Sequence, residues 1–398
     1  MQPPRFAAIA VLVALASACS AGASSSSETR PGSPSSRPTV GTPAPSVTVA
    51  CVDRVFGSMT EPQRVGQLFA MGLANDRLGP AESAAIRDDH VGSVWFTQTT
   101  EAGSTPVKDV ADSVQALATR ANTGKVRFYV AANQEGGQIQ ALRGPGFSTI
   151  PSATEQGTLP PSTLRVDAQT WGSELRDAGV NLDFAPVMDV VPTAMVSRNQ
   201  PIGVLQREFG STPSAVAAHG VAFIQGMQAA GVQTTAKHFP GLGRVIGNTD
   251  TSAGVVDDTT TSDDPFLSPF GAVIRAGVPF VMVALASYPR IDPNHLAVFS
   301  PTMMRILREE EGFDGVIVSD DLGAATAIAS VSPARRAIGF LEAGGDMIVS
   351  KDVAPTRAMV SAVLSRAGDD PTFSALVDAA VHRILLAKSD AGLLPCGT

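Results

Sequence analysis

The sequence predicts an α/β protein built as a single (β/α)8 TIM-like barrel. Three observations carry that reading: short apolar runs recur along the chain, helix-like sequence separates them, and polar residues follow directly after several runs. The runs cover residues 68–71, 92–96, 126–132, 180–187, 232–236, 280–285, 315–319 and 347–350. Most are nearly continuous in Val, Ile, Leu, Phe or Ala rather than alternating, the pattern of parallel strands covered on both faces. Between them, residues 214–230 follow Pro213 and end at Gly231, which are helix start and stop signals. The same stop, a glycine free to turn left-handed, recurs at Gly179, Gly277 and Gly344. Its spacing is too irregular for a solenoid and suits successive βα units with loops of different length. No GxGxxG or GxxxxGK[ST] phosphate loop is present, which weighs against a doubly wound nucleotide-binding sheet.

Composition narrows the function. The 398 residues carry 29 Lys+Arg and 37 Asp+Glu, a formal net charge of −8. Nucleic-acid binders show a basic excess or stripe, so no nucleic-acid partner is expected. Hydrophobic residues at 44% supply a large core, while aromatics at 5% are too few for extended stacking platforms. The histidines His90, His219, His238, His295 and His382 are scattered without the spacing of a zinc site, so neither metal nor cofactor is expected.

Ahead of the barrel, residues 1–18 read as a lipoprotein signal peptide. Arg5 precedes the apolar stretch 6–18, which falls short of the roughly 20 residues that span a bilayer as a helix. It ends Leu15-Ala16-Ser17-Ala18-Cys19, and Cys19 is the expected site of lipidation; an ordinary secretory signal cleaved nearby is the other reading. Residues 19–50, rich in Ser, Pro and Thr, read as a flexible spacer, and 51–398 as the barrel. The expected molecule is an exported monomer held by lipid on the extracytoplasmic face of the cell membrane. In that oxidising setting Cys51 and Cys396 are expected to form a disulfide, which needs the ends of the domain about 6 Å apart at Cα.

Barrel enzymes carry their chemistry at the C-terminal ends of the strands. The third run leads into Asn133-Gln134-Glu135-Gly136-Gly137, the fourth to Asp189, the fifth to Lys237-His238-Phe239-Pro240-Gly241, the sixth to Ser287-Tyr288 and the seventh to Asp320-Asp321. Asp320 directly follows its run and is the candidate nucleophile, whereas Asp321 suits a helix N-cap. Lys237 and His238 form a compact donor pair for a polyhydroxylated ligand. The stretch 244–264 holds Asn248, Asp250, Asp257 and Asp258 among Thr, Ser and Gly; its pattern does not fit a calcium loop, and it suits a lid carrying a catalytic acid.

At Lys237-His238-Phe239-Pro240-Gly241-Leu242-Gly243 and Gly312-Phe313-Asp314-Gly315-Val316-Ile317-Val318-Ser319-Asp320-Asp321-Leu322, the chain resembles the family-three glycoside hydrolases, and most nearly their single-barrel bacterial β-N-acetylhexosaminidase branch. Gln134-Glu135-Gly136-Gly137, the segment Asn181-Leu182-Asp183-Phe184-Ala185-Pro186-Val187-Met188-Asp189 and Arg207-Glu208-Phe209-Gly210 extend the resemblance in order. It implies a retaining glycosidase that releases non-reducing-end β-linked N-acetylglucosamine, commonly from peptidoglycan. It further implies Asp320 as nucleophile and Asn133, Glu135, Arg143, Asp189, Arg207, Lys237 and His238 as groups around the sugar. The chain departs from the family pattern at four points. Asn133 stands where Asp is usual, Ala141 where Arg is usual (with Arg143 the nearest substitute), and Leu285 where His is usual. Asn248-Thr249-Asp250 fills the slot of a loop Asp-Ser-His, which makes Asp250 the expected acid/base. The readings that compete with a β-N-acetylglucosaminidase are a sugar-binding lipoprotein that has lost its acid and a glycosidase for another β-linked sugar.

Overall fold

A computed structural model describes residues 47–396. Eight parallel strands form one sheet: β1 Phe69–Leu73, β2 Ser93–Phe96, β3 Tyr129–Ala132, β4 Leu182–Asp183, β5 Gln233–Phe239, β6 Phe280–Val283, β7 Val316–Ser319 and β8 Ile348–Ser350. Every predicted run supplies one strand. Each pairs in parallel with its neighbour in chain order, and β8 pairs with β1 through Phe69↔Ile348 and Met71↔Ser350. Between β7 and β8 the Met347 N–H donates to the Ile317 carbonyl at 3.0 Å and the Ser319 N–H to the Met347 carbonyl at 2.9 Å, so the ring is closed. A closed ring leaves no unpaired strand edge.

A helix follows each strand, including Pro161–Asp177 after β3, Pro213–Ala229 after β4 and Pro333–Ala343 after β7. Gly179, Gly231, Gly277 and Gly344 stand at φ of 79°, 82°, 82° and 107° just beyond their helices, the left-handed stop that the sequence predicts. β1 to β3 and β6 to β8 are buried along their whole length, matching their unbroken apolar character.

Two strands differ from the sequence reading. In the fourth run only Leu182–Asp183 has regular strand geometry. Pro186 offers no N–H, although its carbonyl accepts from the Lys237 N–H at 3.1 Å. β5 runs on through Lys237 and His238 to Phe239 instead of ending at Ala236, because Lys237 and Phe239 still pair with Met282 and Val283 of β6. The Ala185–Pro186, Lys237–His238 and Phe239–Pro240 peptides are cis.

The described residues start with helix Val47–Ser58, which overlaps the end of the stretch 19–50 read as spacer. That helix packs against the last one, Pro371–Asp390, where Phe56 stacks on His382 with ring centroids 4.1 Å apart. Cys51 and Cys396 are joined in a disulfide with a Cα–Cα distance of 6.1 Å. The stretch 1–18 read as a signal peptide, the expected lipidation site Cys19 and the stretch up to residue 46 read as spacer lie outside the described residues.

The disulfide closes a loop of 345 residues in sequence separation. Replacing both cysteines by serine should therefore destabilise the domain by about 2–4 kcal/mol. Denaturant unfolding should show a lower midpoint for the double variant; an unchanged midpoint would mean that the bridge adds no stability.

Candidate active site

The strand ends open onto a cavity of about 500 Å³, within the range of small-molecule sites. Its apolar floor is formed by Trp95 of β2, Phe184 after β4, Met282 of β6 and Val349 of β8. Asn133, Arg207, Lys237, His238, Asp250 and Asp320 stand around it. Groups from the ends of β3, β5 and β7, together with a residue from the loop after β4, thus meet in one hollow.

Charge pairing organises the β3–β5 side. Glu135, 4% exposed, sits behind the cavity wall. Arg207 donates to both of its oxygens, Nε to Oε2 at 2.7 Å and Nη2 to Oε1 at 2.8 Å, while Lys237 Nζ lies 2.6 Å from Oε1. Burial by itself would raise the Glu135 pKa, but the two cations hold it down to about 2. Lys237 also donates to Asn133 Oδ1 at 2.8 Å, and Arg207 to the Pro201 carbonyl at 2.8 Å.

A second buried carboxylate orients the histidine. Asp189 Oδ2 accepts from His238 Nδ1 at 2.8 Å, and its Oδ1 accepts from the His238 and Leu242 backbone N–H groups at 3.1 and 2.9 Å. With Nδ1 donating to Asp189, Nε2 is the ring nitrogen left for a ligand. Neither Glu135 nor Asp189 lines the cavity; their oxygens accept from the cations and amides in front of them, which makes both positioning residues for those groups.

Arg143 is also displaced from its expected place. Its guanidinium donates to the carbonyls of Gln140 at 2.9 Å and Gly137 at 2.8 Å, pinning the 134–143 hairpin instead of reaching the cavity. Asp321 caps no helix. Its Oδ1 accepts from the Gly323 N–H at 2.7 Å and the Lys351 N–H at 2.9 Å, tying the β7 loop to the β8 loop, and burial pushes its pKa up to about 6. The helix after β7 begins at Pro333, with Ser332 preceding it. Asp257 is buried and caps the Thr259 and Thr260 N–H groups at 2.9 Å, outside the cavity. Tyr288 donates to the Gly241 carbonyl at 2.8 Å and supports the β5 loop from behind.

Asp320 follows β7, its N–H donating to the Val283 carbonyl at 3.1 Å, and one carboxyl oxygen accepts from the Asp321 N–H at 2.8 Å. Facing it is Asp250, carried by the loop after β5. Arg244 and Asp264 close the base of that loop with a 2.6 Å ion pair. Its tip is fastened to the β7 loop: the Ala327 N–H donates to the Thr249 carbonyl at 3.0 Å and the Thr326 N–H to the Asp250 carbonyl at 3.1 Å. The Asp250 pKa is raised, first by desolvation and next by the charge of Asp320, against the opposing pull of Arg207, His238 and Lys237. Burial first and the Asp320 charge second thus bias the Asp250 carboxyl toward its protonated form, with donors alongside.

Several cavity residues are absent from the sequence reading: Trp95, Thr97, Met282 and Lys351. Thr97 and Lys351 carry the same signal as the others, a polar residue directly after a strand. Trp95 and Met282 lie within apolar runs, where only barrel geometry reveals which side chains face inward.

A family description, "Glycosyl hydrolase family 3 N terminal domain", matches residues 60–387. A beta-hexosaminidase of Xanthomonas campestris pv. campestris is 32% identical over 292 residues, covering 71% of this chain and 83% of that protein. One of Xylella fastidiosa is 31% identical over 318 residues, covering 78% and 91%. Among solved structures, a beta-N-acetylhexosaminidase from Beutenbergia cavernae DSM 12333 is similar at 48% identity and a TM-score of 0.82, over 83% of this chain and 99% of that one.

Removing the shared carboxylate has a predictable pH signature. The Glu135 pKa is depressed from 4.5 to about 2, so its stabilising contribution is complete above about 4.5 and is lost as pH falls through about 2. Glu135→Gln strips the buried cations of their partner and should cost about 3–5 kcal/mol at neutral pH. Melting temperatures of the two proteins should differ most at pH 6–7 and converge toward pH 2; a gap that stays constant with pH would contradict the pairing.

Proposed function

The chain belongs to glycosyl hydrolase family 3 and is a glycosidase, and on that premise we propose that it releases β-linked N-acetylglucosamine from non-reducing ends with retention of configuration. Retaining hydrolysis needs a carboxylate nucleophile on one face of the anomeric carbon and a proton donor on the other. The observation that carries the assignment is that Asp250 and Asp320 border one cavity, with Asp250 made harder to ionise by burial and by Asp320.

In this reading Asp320 attacks the anomeric carbon while Asp250 protonates the departing oxygen. The sugar is then bonded to Asp320. Asp250, now ionised, takes a proton from water, which attacks the same carbon and frees Asp320. Arg207, Lys237, His238 and Asn133 hold the sugar hydroxyls, and Glu135 and Asp189 hold those groups in place. Because the barrel mouth is formed by one chain, the catalytic unit is proposed to act as a monomer. The sequence signals at 1–18 and Cys19 support an exported, lipid-anchored protein on the extracytoplasmic face of the membrane. A role in peptidoglycan turnover fits that location.

Asp250→Ala should slow hydrolysis of glycosides with poor leaving groups by roughly 10²–10⁴-fold, and of activated aryl glycosides far less. Added azide should restore turnover of the activated substrate and yield a β-glycosyl azide. Equal losses on both substrates would discard Asp250 as the acid. The alkaline limb of kcat/KM, set by the raised pKa of Asp250, should vanish in the same variant. Wild-type protein should cleave aryl β-N-acetylglucosaminide in preference to the matching β-glucoside and β-galactoside, and no turnover of any of them would favour a binding protein.

A further inference from the structure

The wall formed by the ends of β3 and β5 is completed by an amide whose direction the neighbouring charges dictate. Asn133 directly follows β3 and lines the cavity. Its main chain is fixed on both sides: the Asn133 carbonyl accepts from the Ala141 N–H at 3.0 Å, and the Gln134 N–H donates to Asp183 Oδ1 at 2.9 Å. Its side chain is fixed by Lys237, whose Nζ donates to Asn133 Oδ1 at 2.8 Å. An ammonium can only donate, so the atom that faces it must be the amide oxygen and not the amide nitrogen. Nδ2 is thereby turned away from Lys237. It has no hydrogen-bond partner among the described residues and is not sealed off from solvent, so both of its hydrogens are open to a ligand.

The groups beside it offer the same chemistry. Lys237 gives hydrogens to Glu135 and Asn133 and keeps a third. Arg207 donates through Nε and Nη2 to Glu135 and through Nη1 to the Pro201 carbonyl, which leaves one hydrogen on each terminal nitrogen. Glu135 and Asp189 stand behind the lining and give the ligand no oxygen. His238 Nε2 supplies an acceptor, with Nδ1 donating to Asp189; the open atoms of Asn133, Lys237 and Arg207 are all donors. The carboxylates that do line the cavity, Asp250, Asp320 and Asp321, come from the β5 and β7 loops. In the eight-stranded ring β3 and β7 lie four strands apart in either direction, so Asn133 and Asp320 face each other across the hollow. A pyranose with C1 at Asp320 sets C4, the ring atom opposite C1, toward β3.

We infer that Asn133 is the specificity-determining residue for the far end of the sugar, and that it reads O4 as a hydrogen-bond acceptor. The inference rests on the glycosidase reading above. It defines a substrate class: terminal N-acetylglucosamine units whose O4 is either a free hydroxyl or capped as a small ether or ester, because recognition does not require the O4 hydrogen. A carboxylate at the same position would still accept from Lys237 with one oxygen, but its other oxygen would demand that hydrogen.

The test uses three S-linked aryl N-acetylglucosaminides, which bind without being cleaved: the 4-hydroxyl form, a 4-O-methyl form that can accept but not donate, and a 4-deoxy form that can do neither. Titration calorimetry gives their Kd values. Wild-type protein should bind the first two within about twofold of each other and the 4-deoxy form about fivefold more weakly, the scale of one hydrogen bond. In Asn133→Asp, which keeps the size and the contact for Lys237, the 4-O-methyl form should fall about tenfold behind the 4-hydroxyl form, since a carboxylate oxygen then lacks its donor. In Asn133→Ala the three should converge to within about twofold. Each ratio is taken within one protein, so a general loosening of the wall cancels. Wild-type protein that treats the 4-O-methyl form as poorly as the 4-deoxy form, or ratios that are the same in wild type and Asn133→Asp, overturn the inference. Failure of wild-type protein to cleave the O-linked 4-hydroxyl counterpart would instead overturn the glycosidase reading, while Asn133-dependent Kd ratios would uphold the reading of O4.

Discussion

A single buried carboxylate sets the geometry of the ligand-holding wall. Glu135 arrives from the turn after β3, Lys237 from β5 and Arg207 from the long connection after β4, and none of these could remain buried alone. Moving a lone charge from water into a protein interior costs several kcal/mol even after relaxation, so the three groups must find one another for any of them to be tolerated. Their meeting fixes the placement of the ends of β3 and β5 relative to the long connection after β4. It also turns the free edges of the guanidinium and ammonium toward the hollow. Two cations against one anion leave this wall with a surplus of donors, suited to the oxygens of a carbohydrate.

The same logic of support from behind recurs around the ring. Asp189 orients His238, Asp321 ties the β7 loop to the β8 loop, and Tyr288 braces Gly241. The proposed nucleophile sits at the end of a rigid strand, whereas the proposed acid rides on a loop anchored by main-chain bonds from Thr326 and Ala327. Those bonds come from the segment just beyond Asp320, so the element that carries one carboxyl also sets the height of the other. Two carboxylates facing one cavity cannot both ionise as readily as each would alone, and the raised pKa of Asp250 expresses that mutual repulsion together with its burial.

Much of this was legible in the sequence, for physical reasons. Parallel strands buried on both faces must be almost wholly apolar, so the eight runs could be located, and the glycine stops could be seen because few other residues adopt a positive φ readily. The position of chemistry at strand ends pointed to Asp320, Lys237 and His238. The direction in which buried polar side chains face was not legible. Glu135 and Asp189 read in the sequence as groups around the sugar, and residue type does not reveal that both stand behind the cavity lining and accept from the groups in front of them. Arg143 has the charge expected of a sugar contact, yet backbone carbonyls at Gln140 and Gly137 claim its guanidinium. Trp95 was hidden in the same way, since an inward-facing aromatic within an apolar run carries no local mark. β5 extends past its apolar residues because pairing with β6, a non-local interaction, continues through Lys237.

The central claim is that Asp320 forms a covalent bond with the sugar while Asp250 stands opposite. The most direct measurement is mass spectrometry of the wild-type protein after incubation with a 5-fluoro-N-acetylglucosaminyl fluoride, whose intermediate hydrolyses slowly. The account predicts one added glycosyl unit per molecule, mapped by peptide fragmentation to Asp320, accumulating further in Asp250→Ala. A label on Asp321 or Asp250, or turnover with no trapped adduct in either protein, would contradict it.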